Sequence, residues 1–323
     1  MCRCNCNSKK SKKIIINNNV TWKNFNKIGC QFKQGEFKIL SAPVKDTLYA
    51  YLNAIKYKEI YLNINSLPLL GTEDNPLMIE SVAELISFRD TINAGKGSFK
   101  GTDIRDGGKG KYFIITNNLD LLNICGAKNG DTTSWIAIGS KINPFKGYIN
   151  GKNSMISNLY INKLNEDYQG LFGCLGKGAI IDSIHLLNNY VQGKDFVGAL
   201  CGYADSSSIS NCSASGYVRG NDYVGGVIGF VTLPVSNCVN ASVVRGMVYV
   251  GGICGEAVSV SHCINSGDIV AINKVGGISG HANIQRCMNS GNIQGVSYVG
   301  GICGLTDSLS ECINIARVNA SEN

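Results

Sequence analysis

A six-residue pattern recurs through the second half of the chain and constrains the fold more than any other feature. The sequence Val-Gly-Gly-Ile-Cys-Gly at residues 250–255 has four close copies and one degenerate copy, Tyr-Gln-Gly-Leu-Phe-Gly. The copies begin at residues 168, 197, 224, 250, 275 and 299, so their spacings are 29, 27, 26, 25 and 24 residues. Such a period indicates a repeat protein in which each unit stacks on its neighbour.

The length and composition of the unit select the kind of repeat. Helical repeats need about 33 residues or more, and propeller blades need about 40. The chain contains 39 Gly and only 5 Pro in 323 residues, and its repeats are rich in β-branched residues, which disfavours helices. We therefore predict an all-β fold, a right-handed parallel β-helix with about seven coils of about 25 residues each.

Equal positions of successive coils stack into columns, which explains the residue choices. One column is Asn240, Asn265, Asn289 and Asn314, whose amides can hydrogen-bond from rung to rung. Two further columns are Cys212, Cys238, Cys263, Cys287 and Cys312, and Phe172, Cys201, Ile228, Cys254, Ser279 and Cys303. The second of these columns mixes Cys with Phe, Ile and Ser, which indicates that its cysteines serve interior packing and not sulfur chemistry. Disulfides between neighbouring rungs are geometrically allowed, but we expect mostly free thiols.

Three regions are predicted. Residues 1–74 hold the whole net charge of +7 and are a basic accessory region of a small α+β type, with strand-like runs at 32–40 and 60–64 and a helix at 47–55. Residues 75–111 contain a capping helix, started by a Ser81–Glu84 capping box and ended at Gly95, and then a loop. Residues 112–323 form the β-helix. The thiols of Cys2, Cys4 and Cys6 lack zinc-site spacing.

The hexapeptide copies resemble the GLUG motif. Residues 112–122, 135–139, 144–151, 155–161 and 170–173 are similar to the segments that precede it, so the resemblance covers roughly residues 76–323. It implies the right-handed β-helical regions found in bacterial surface proteins and in IgA-specific zinc metalloproteases. In those proteases the catalytic domain is separate, and its His-Glu-x-x-His motif is absent from this sequence. The resemblance implies no catalytic residue, metal or cofactor here.

The resemblance implies a secreted or cell-surface location, although no apolar signal-peptide core is visible; a virion or cytoplasmic location is the alternative. We expect a non-enzymatic adhesion module that presents a rigid surface to a glycan or a host-cell protein. The alternatives are a β-helical carbohydrate-active enzyme, such as a phage tail-spike depolymerase, and a structural spacer. Residues 75–323 carry no net charge, so we expect no nucleic-acid partner. We also expect no membrane span, and an uncapped last rung favours end-to-end self-association.

Two columns beside the hexapeptide are the candidate sites. Phe196, Tyr223, Tyr249 and Tyr298 each directly precede the Val of a hexapeptide copy and could form a ligand-binding strip, although aromatic pairs also stabilise sheets without a ligand. Asp195 and Asp222 should lie on adjacent rungs. Two carboxylates at that separation could share a proton, act on a glycosidic bond or hold a cation, or they could be solvated turn residues.

Overall fold

The computed structural model describes residues 21–23, 30–33, 36–39, 44–52, 55–64, 70–128 and 131–321. The chain divides into two compact units, residues 1–69 and 70–323. In the first unit, an antiparallel three-strand sheet and a hairpin are built from Thr21–Lys23, Val44–Leu52 and Ile55–Ile64, and from Cys30–Lys33 and Glu36–Ile39. The Cys2, Cys4 and Cys6 thiols lie outside the described residues.

The helix predicted for residues 47–55 is wrong. Most of this segment belongs to the strand Val44–Leu52, and Ile55 begins the next strand. The two strands pair antiparallel, with Leu48 opposite Ile60. Tyrosine and isoleucine favour strands, and two such segments separated by a two-residue connection satisfy each other's backbone groups as a hairpin. The spacing of apolar residues within 47–55 gave no sign that this segment pairs with the strand Ile55–Ile64.

The second unit is a parallel β-solenoid of about six turns with about 26 residues per turn, which confirms the predicted fold class with one turn fewer. Three sheets run along it. The thirteen-strand sheet contains Leu77–Ile79, Tyr112–Ile115, Tyr148–Asn150, Phe172–Leu175, Ile180–Asp182, Cys201–Ala204, Ser208–Ser210, Ile228–Val231, Val235–Ser236, Cys254–Ser261, Ser279–Gln285, Cys303–Leu305 and Leu309–Ser310. The twelve-strand sheet contains Leu119–Asp120, Met155–Ser157, Tyr160–Asn162, His185–Gln192, Ser213–Arg219, Val239–Arg245, Ile264–Asn265, Ile269–Val270, Met288–Asn289, Ile293–Gly295, Ile313–Asn314 and Val318–Ala320.

The hexapeptide copies form the third sheet and set the register of the solenoid. Its five strands are Val197–Gly198, Asp222–Gly225, Val248–Gly251, Asn273–Gly276 and Ser297–Gly300. Val224 pairs with Val250, and Val250 pairs with Val275. Equal repeat positions are therefore direct neighbours one rung apart. Two short antiparallel pairs lie outside these sheets: Ser98–Phe99 with Thr102–Asp103, and Gly126–Lys128 with Asp131–Thr133.

Two polar ladders line the interior. Asn240 Nδ2 donates to Asn265 Oδ1 at 2.8 Å, and the same bond links Asn265 to Asn289 at 2.7 Å. In the cysteine column, the backbone N–H of Cys238 donates to the Sγ of Cys263 at 3.3 Å, and the step repeats at the following rungs. The predicted asparagine and Cys212–Cys312 columns are thus confirmed. Buried aliphatic, aromatic and small side chains fill the rest of the solenoid interior.

The helix Val82–Ala94 packs Leu85, Phe88 and Ile92 into the same core. Ser81 caps it by accepting from the Glu84 N–H, and Gly95 ends it in the left-handed conformation at φ 63°. The Glu84 carboxylate reaches back to the N–H of Glu80, one residue before the position of an ideal capping box. Among the described residues, no helix combines the length and apolar character that a membrane crossing requires.

The interior thiols are predicted to resist alkylation in the folded protein. The free cysteines of the described region include eight that are buried. Burial raises the pKa of Cys174 to about 12, and burial also raises the pKa of Cys254. Because the thiolate is the reactive form, iodoacetamide at neutral pH should leave Cys174 and Cys254 unmodified until denaturant is added. Peptide mapping by mass spectrometry checks this, and rapid labelling of Cys254 in native buffer would contradict it.

Candidate functional site

An aromatic column lies at the turn that precedes the five-strand sheet. Tyr168, Phe196, Tyr223 and Tyr249 each stand directly before, or at the start of, a hexapeptide copy. All four have a left-handed backbone, with φ between 55° and 61°, and all four side chains are half-buried. The repeat therefore delivers one ring per rung to the same edge of the solenoid.

The rings of this column stack in parallel. Phe196 and Tyr223 have centroids 4.8 Å apart with planes 1° from parallel, and Tyr223 and Tyr249 have centroids 4.9 Å apart at 4°. Tyr168 extends the stack below Phe196 at 5.2 Å and 15°. The separations follow the rung spacing of a sheet and fall in the range of offset stacking.

A second column runs beside the first, and its ring planes are perpendicular to those of the first. Tyr203 and Phe230 follow the last Gly of two successive hexapeptides and stack on each other at 5.2 Å and 8°. Their rings meet Phe196 edge to face, at 85° and 88°. We call the six rings the aromatic face: Tyr168, Phe196, Tyr203, Tyr223, Phe230 and Tyr249. Their planes form a herringbone, the arrangement that ring quadrupoles favour.

A lysine ammonium covers each end of the aromatic face. Lys141 lies over Tyr168 at 5.2 Å and over Tyr203 at 5.3 Å. Lys274 occupies the position of the first column that follows Tyr249, lies 4.0 Å from that ring centroid and donates to the Tyr249 hydroxyl. These are cation–π contacts. They leave Phe196, Tyr223 and Phe230 as the central rings.

The structure brings together three of the four residues predicted for the strip. Tyr298 keeps the register and the left-handed backbone, but Lys274 separates it from Tyr249 and it is 61% exposed. The prediction omitted Tyr168, Tyr203 and Phe230. The first stands at the degenerate copy of the repeat and the other two directly follow a hexapeptide Gly, so all three were visible in the alignment of copies.

The predicted carboxylates, Asp195 and Asp222, lie beside the first column and form steps of a ladder. The Asp222 N–H donates to Asp195 Oδ1 at 3.3 Å, and the Asp195 N–H donates in the same way to Asp167. Lys194 lies 3.4 Å from Asp195. Burial, and then the charge of Asp195, raises the pKa of Asp222. The pair thus closes turns, and its use in catalysis or cation binding stays a prediction.

Near the C-terminal end of the aromatic face, His281 lies 3.5 Å from Glu256 and 6.4 Å from the Tyr249 ring. Another histidine, His185, hydrogen-bonds to Ser213 Oγ at 2.8 Å because the two residues are register partners. Within the described part of the chain, no three His, Cys, Asp or Glu side chains converge as a metal site would require.

Three comparisons bear on this architecture. The model of the GLUG motif matches residues 197–218. A crystal structure from Bacteroides ovatus, of a protein provisionally named immunoglobulin A1 protease, superposes with a TM-score of 0.58 at 21% identity and covers 77% of this chain and 79% of that one. At this identity the likeness concerns the fold alone.

Two curated relatives match by sequence. One is a provisionally named Gly-rich membrane protein of Evansella cellulosilytica, 30% identical over 135 residues, or 41% of this chain and 14% of the relative. The other is halomucin of Haloquadratum walsbyi, 26% identical over 170 residues, or 50% of this chain and 2% of the relative. The chain thus spans only a small part of either relative. The motif match and the register together identify residues 197–218 as a GLUG motif within a parallel β-solenoid.

Proposed function

We propose that the solenoid is a non-enzymatic, surface-associated binding module whose aromatic face takes the rings of a glycan. The observation that carries the proposal is the six-ring herringbone, half-buried and continuous over four rungs. Half-buried aromatic rings on a rigid scaffold offer apolar contact together with the hydroxyl groups of Tyr. The names of the curated relatives, one a membrane protein, support a surface location.

The backbone of the first column supports selection for rings. A left-handed backbone costs roughly 1–2 kcal/mol for a residue with a Cβ, whereas a stacked aromatic pair returns about 0.5–1.5 kcal/mol. The other left-handed column of the solenoid carries small, polar or charged side chains, namely Ser183, Asn211, Asn237, His262, Arg286 and Glu311. Because cost and return are of the same order, folding stability alone gives little reason for rings such as Phe196 and Tyr223 in one left-handed column when the other carries none.

The double variant Tyr223→Ala/Tyr249→Ala is predicted to lose glycan affinity by about tenfold or more, since each ring supplies on the order of 1 kcal/mol of contact. Glycan-array screening of the full chain, followed by titration calorimetry on the best ligand, measures the loss. The matched control is Tyr112→Ala/Tyr148→Ala, which removes another half-buried ring pair, 5.2 Å apart, on the thirteen-strand sheet. Equal affinity of the two double variants would refute a role for the aromatic face.

The non-enzymatic part of the proposal has its own test. Incubation of the best glycan ligand with the protein should leave its chain length unchanged by mass spectrometry. Shortening of the glycan that disappears in Asp222→Asn would instead assign a hydrolase, with the raised pKa of Asp222 serving a general acid.

A further inference from the structure

Arg219 and Arg245 are register partners on adjacent rungs, in the twelve-strand sheet and outside the aromatic face. Arg219 ends the strand Ser213–Arg219 and Arg245 ends the strand Val239–Arg245. The two strands pair in parallel without a register shift from Ser213 opposite Val239 to Arg219 opposite Arg245. Both arginine side chains are exposed. The two exposed guanidinium groups are therefore carried by backbone positions that lie one rung apart.

Like charges placed directly opposite each other destabilise a sheet, and three other arginines of the described chain contact acids instead. Arg286 and Glu311, also one rung apart, form an ion pair at 2.7 Å. Arg89 and Arg105 likewise contact carboxylates. Among the described residues, neither Arg219 nor Arg245 has a carboxylate within ion-pair distance.

The carboxylate diagonal to Arg245 is engaged elsewhere. Asp268 lies on the next rung, two residues before the register partner of Arg245. Its Oδ1 accepts from both the backbone N–H and the Nδ2 of Asn292, at 2.8 and 3.1 Å. The arginine pair is thus left as a local concentration of positive charge on a solenoid unit whose sequence from residue 75 onward is neutral overall.

Aromatic rings flank the pair on the same sheet. Tyr217 precedes Arg219 by two residues and so projects from the same face of the strand. It stacks on Tyr190 at 5.4 Å, and Tyr190 stacks on Tyr160 at 5.1 Å with planes 9° apart. The surface therefore combines two exposed guanidinium groups with a run of half-buried rings along the solenoid axis.

We propose that Arg219 and Arg245 bind successive anionic groups, carboxylate or sulfate, of an acidic polysaccharide that lies along the solenoid axis with its sugar rings against Tyr217 and Tyr190. The guanidinium fork matches the two oxygens of such groups. A polymer with regularly repeated anions suits two cations repeated at the rung spacing. This site is separate from the aromatic face, and either can exist without the other.

The test compares Arg219→Gln/Arg245→Gln with Lys177→Gln/Arg317→Gln, which removes the same charge from exposed positions elsewhere. Immobilised alginate, dextran sulfate and neutral dextran are the probes, at 0.15 M ionic strength where weak surface attraction is screened. The arginine variant should bind the acidic polymers about 100-fold more weakly, roughly tenfold for each guanidinium group removed. The control should change by less than about threefold.

Alginate binding alone assigns carboxylate as the recognised group, dextran sulfate alone assigns sulfate, and binding of both assigns either anion. The charge-preserving Arg219→Lys/Arg245→Lys variant should still lose most of the affinity if the planar forks matter. The Tyr223→Ala/Tyr249→Ala variant should keep it, which separates failure of this site from failure of the aromatic face. Equal losses in the glutamine variant and its control, or no binding of either acidic polymer by the native chain, would overturn the proposal.

Discussion

Asn265→Ala is expected to lower the free energy of unfolding of the solenoid by about 4 kcal/mol, because an orphaned buried polar group costs about 1–3 kcal/mol. Asn265 is 0% exposed. Its Oδ1 accepts from Asn240 Nδ2 and from the Gly267 N–H, and its Nδ2 donates to Asn289 Oδ1 and to the Gly267 carbonyl. Truncation removes all four bonds and leaves both backbone groups of Gly267 without this partner inside the protein.

Urea denaturation followed by circular dichroism measures the change, and hydrogen exchange locates it. Because a solenoid is stabilised rung by rung, loss of protection should centre on the rungs of Asn240, Asn265 and Asn289. The matched control is Asn283→Ala, an exposed position on the strand Ser279–Gln285, with an expected effect below about 0.5 kcal/mol. Similar losses for the two variants would mean that the ladder contributes little.

The isosteric Asn265→Asp variant separates hydrogen bonding from packing. The side-chain volume is nearly retained, but an ionised carboxylate accepts without donating. It would face Asn289 Oδ1 and the Gly267 carbonyl, both acceptors, in a fully buried site. We expect this variant to be destabilised at neutral pH by at least as much as Asn265→Ala, since burying an unpaired charge is costly.

The solenoid could be predicted from the sequence because the hexapeptide recurs at a nearly constant spacing. Once residues 224, 250 and 275 are known to be equivalent, stacking follows, and with it the asparagine and cysteine columns. The segment at residues 47–55 carried no such repetition. Its strand form depends on pairing with residues 55–64, an interaction outside the window in which helical spacing was judged.

The candidate site was predicted less completely, for a geometric reason. Alignment of the copies places Phe196 and Tyr223 in one column, but it does not give ring planes, so the perpendicular contact with Tyr203 and Phe230 was not foreseen. Nor does it give the direction of a long side chain. Lys274 interrupts the column in sequence, yet its ammonium returns over Tyr249 and closes the stack.

The last Gly of the hexapeptide packs against the preceding rung beside the aromatic face. Gly255→Ala is therefore predicted to lower the stability of the solenoid and to disturb the candidate site. A Cβ at Gly255 would lie 2.5 Å from the Gly229 carbonyl oxygen, 2.6 Å from the carbonyl carbon of Tyr223 and 2.6 Å from the Val224 nitrogen. All three are backbone atoms of the preceding rung, so no side chain can rotate away. We expect a loss of at least about 3 kcal/mol, the upper range for overpacking.

The atoms that a Gly255 methyl group would displace belong to the turn that holds Tyr223. The variant should therefore weaken glycan binding at the aromatic face even under conditions where it remains folded, because the Tyr223 ring would shift against Phe230, now 5.8 Å away. Gly178→Ala is the control. Its Cβ would meet nothing within 4 Å, and only its left-handed backbone, at φ 86°, opposes the change, which costs roughly 1–2 kcal/mol. Thermal unfolding and glycan titration of both variants measure the two effects, and a Gly255→Ala protein as stable as Gly178→Ala would show that the rungs separate more readily than this packing implies.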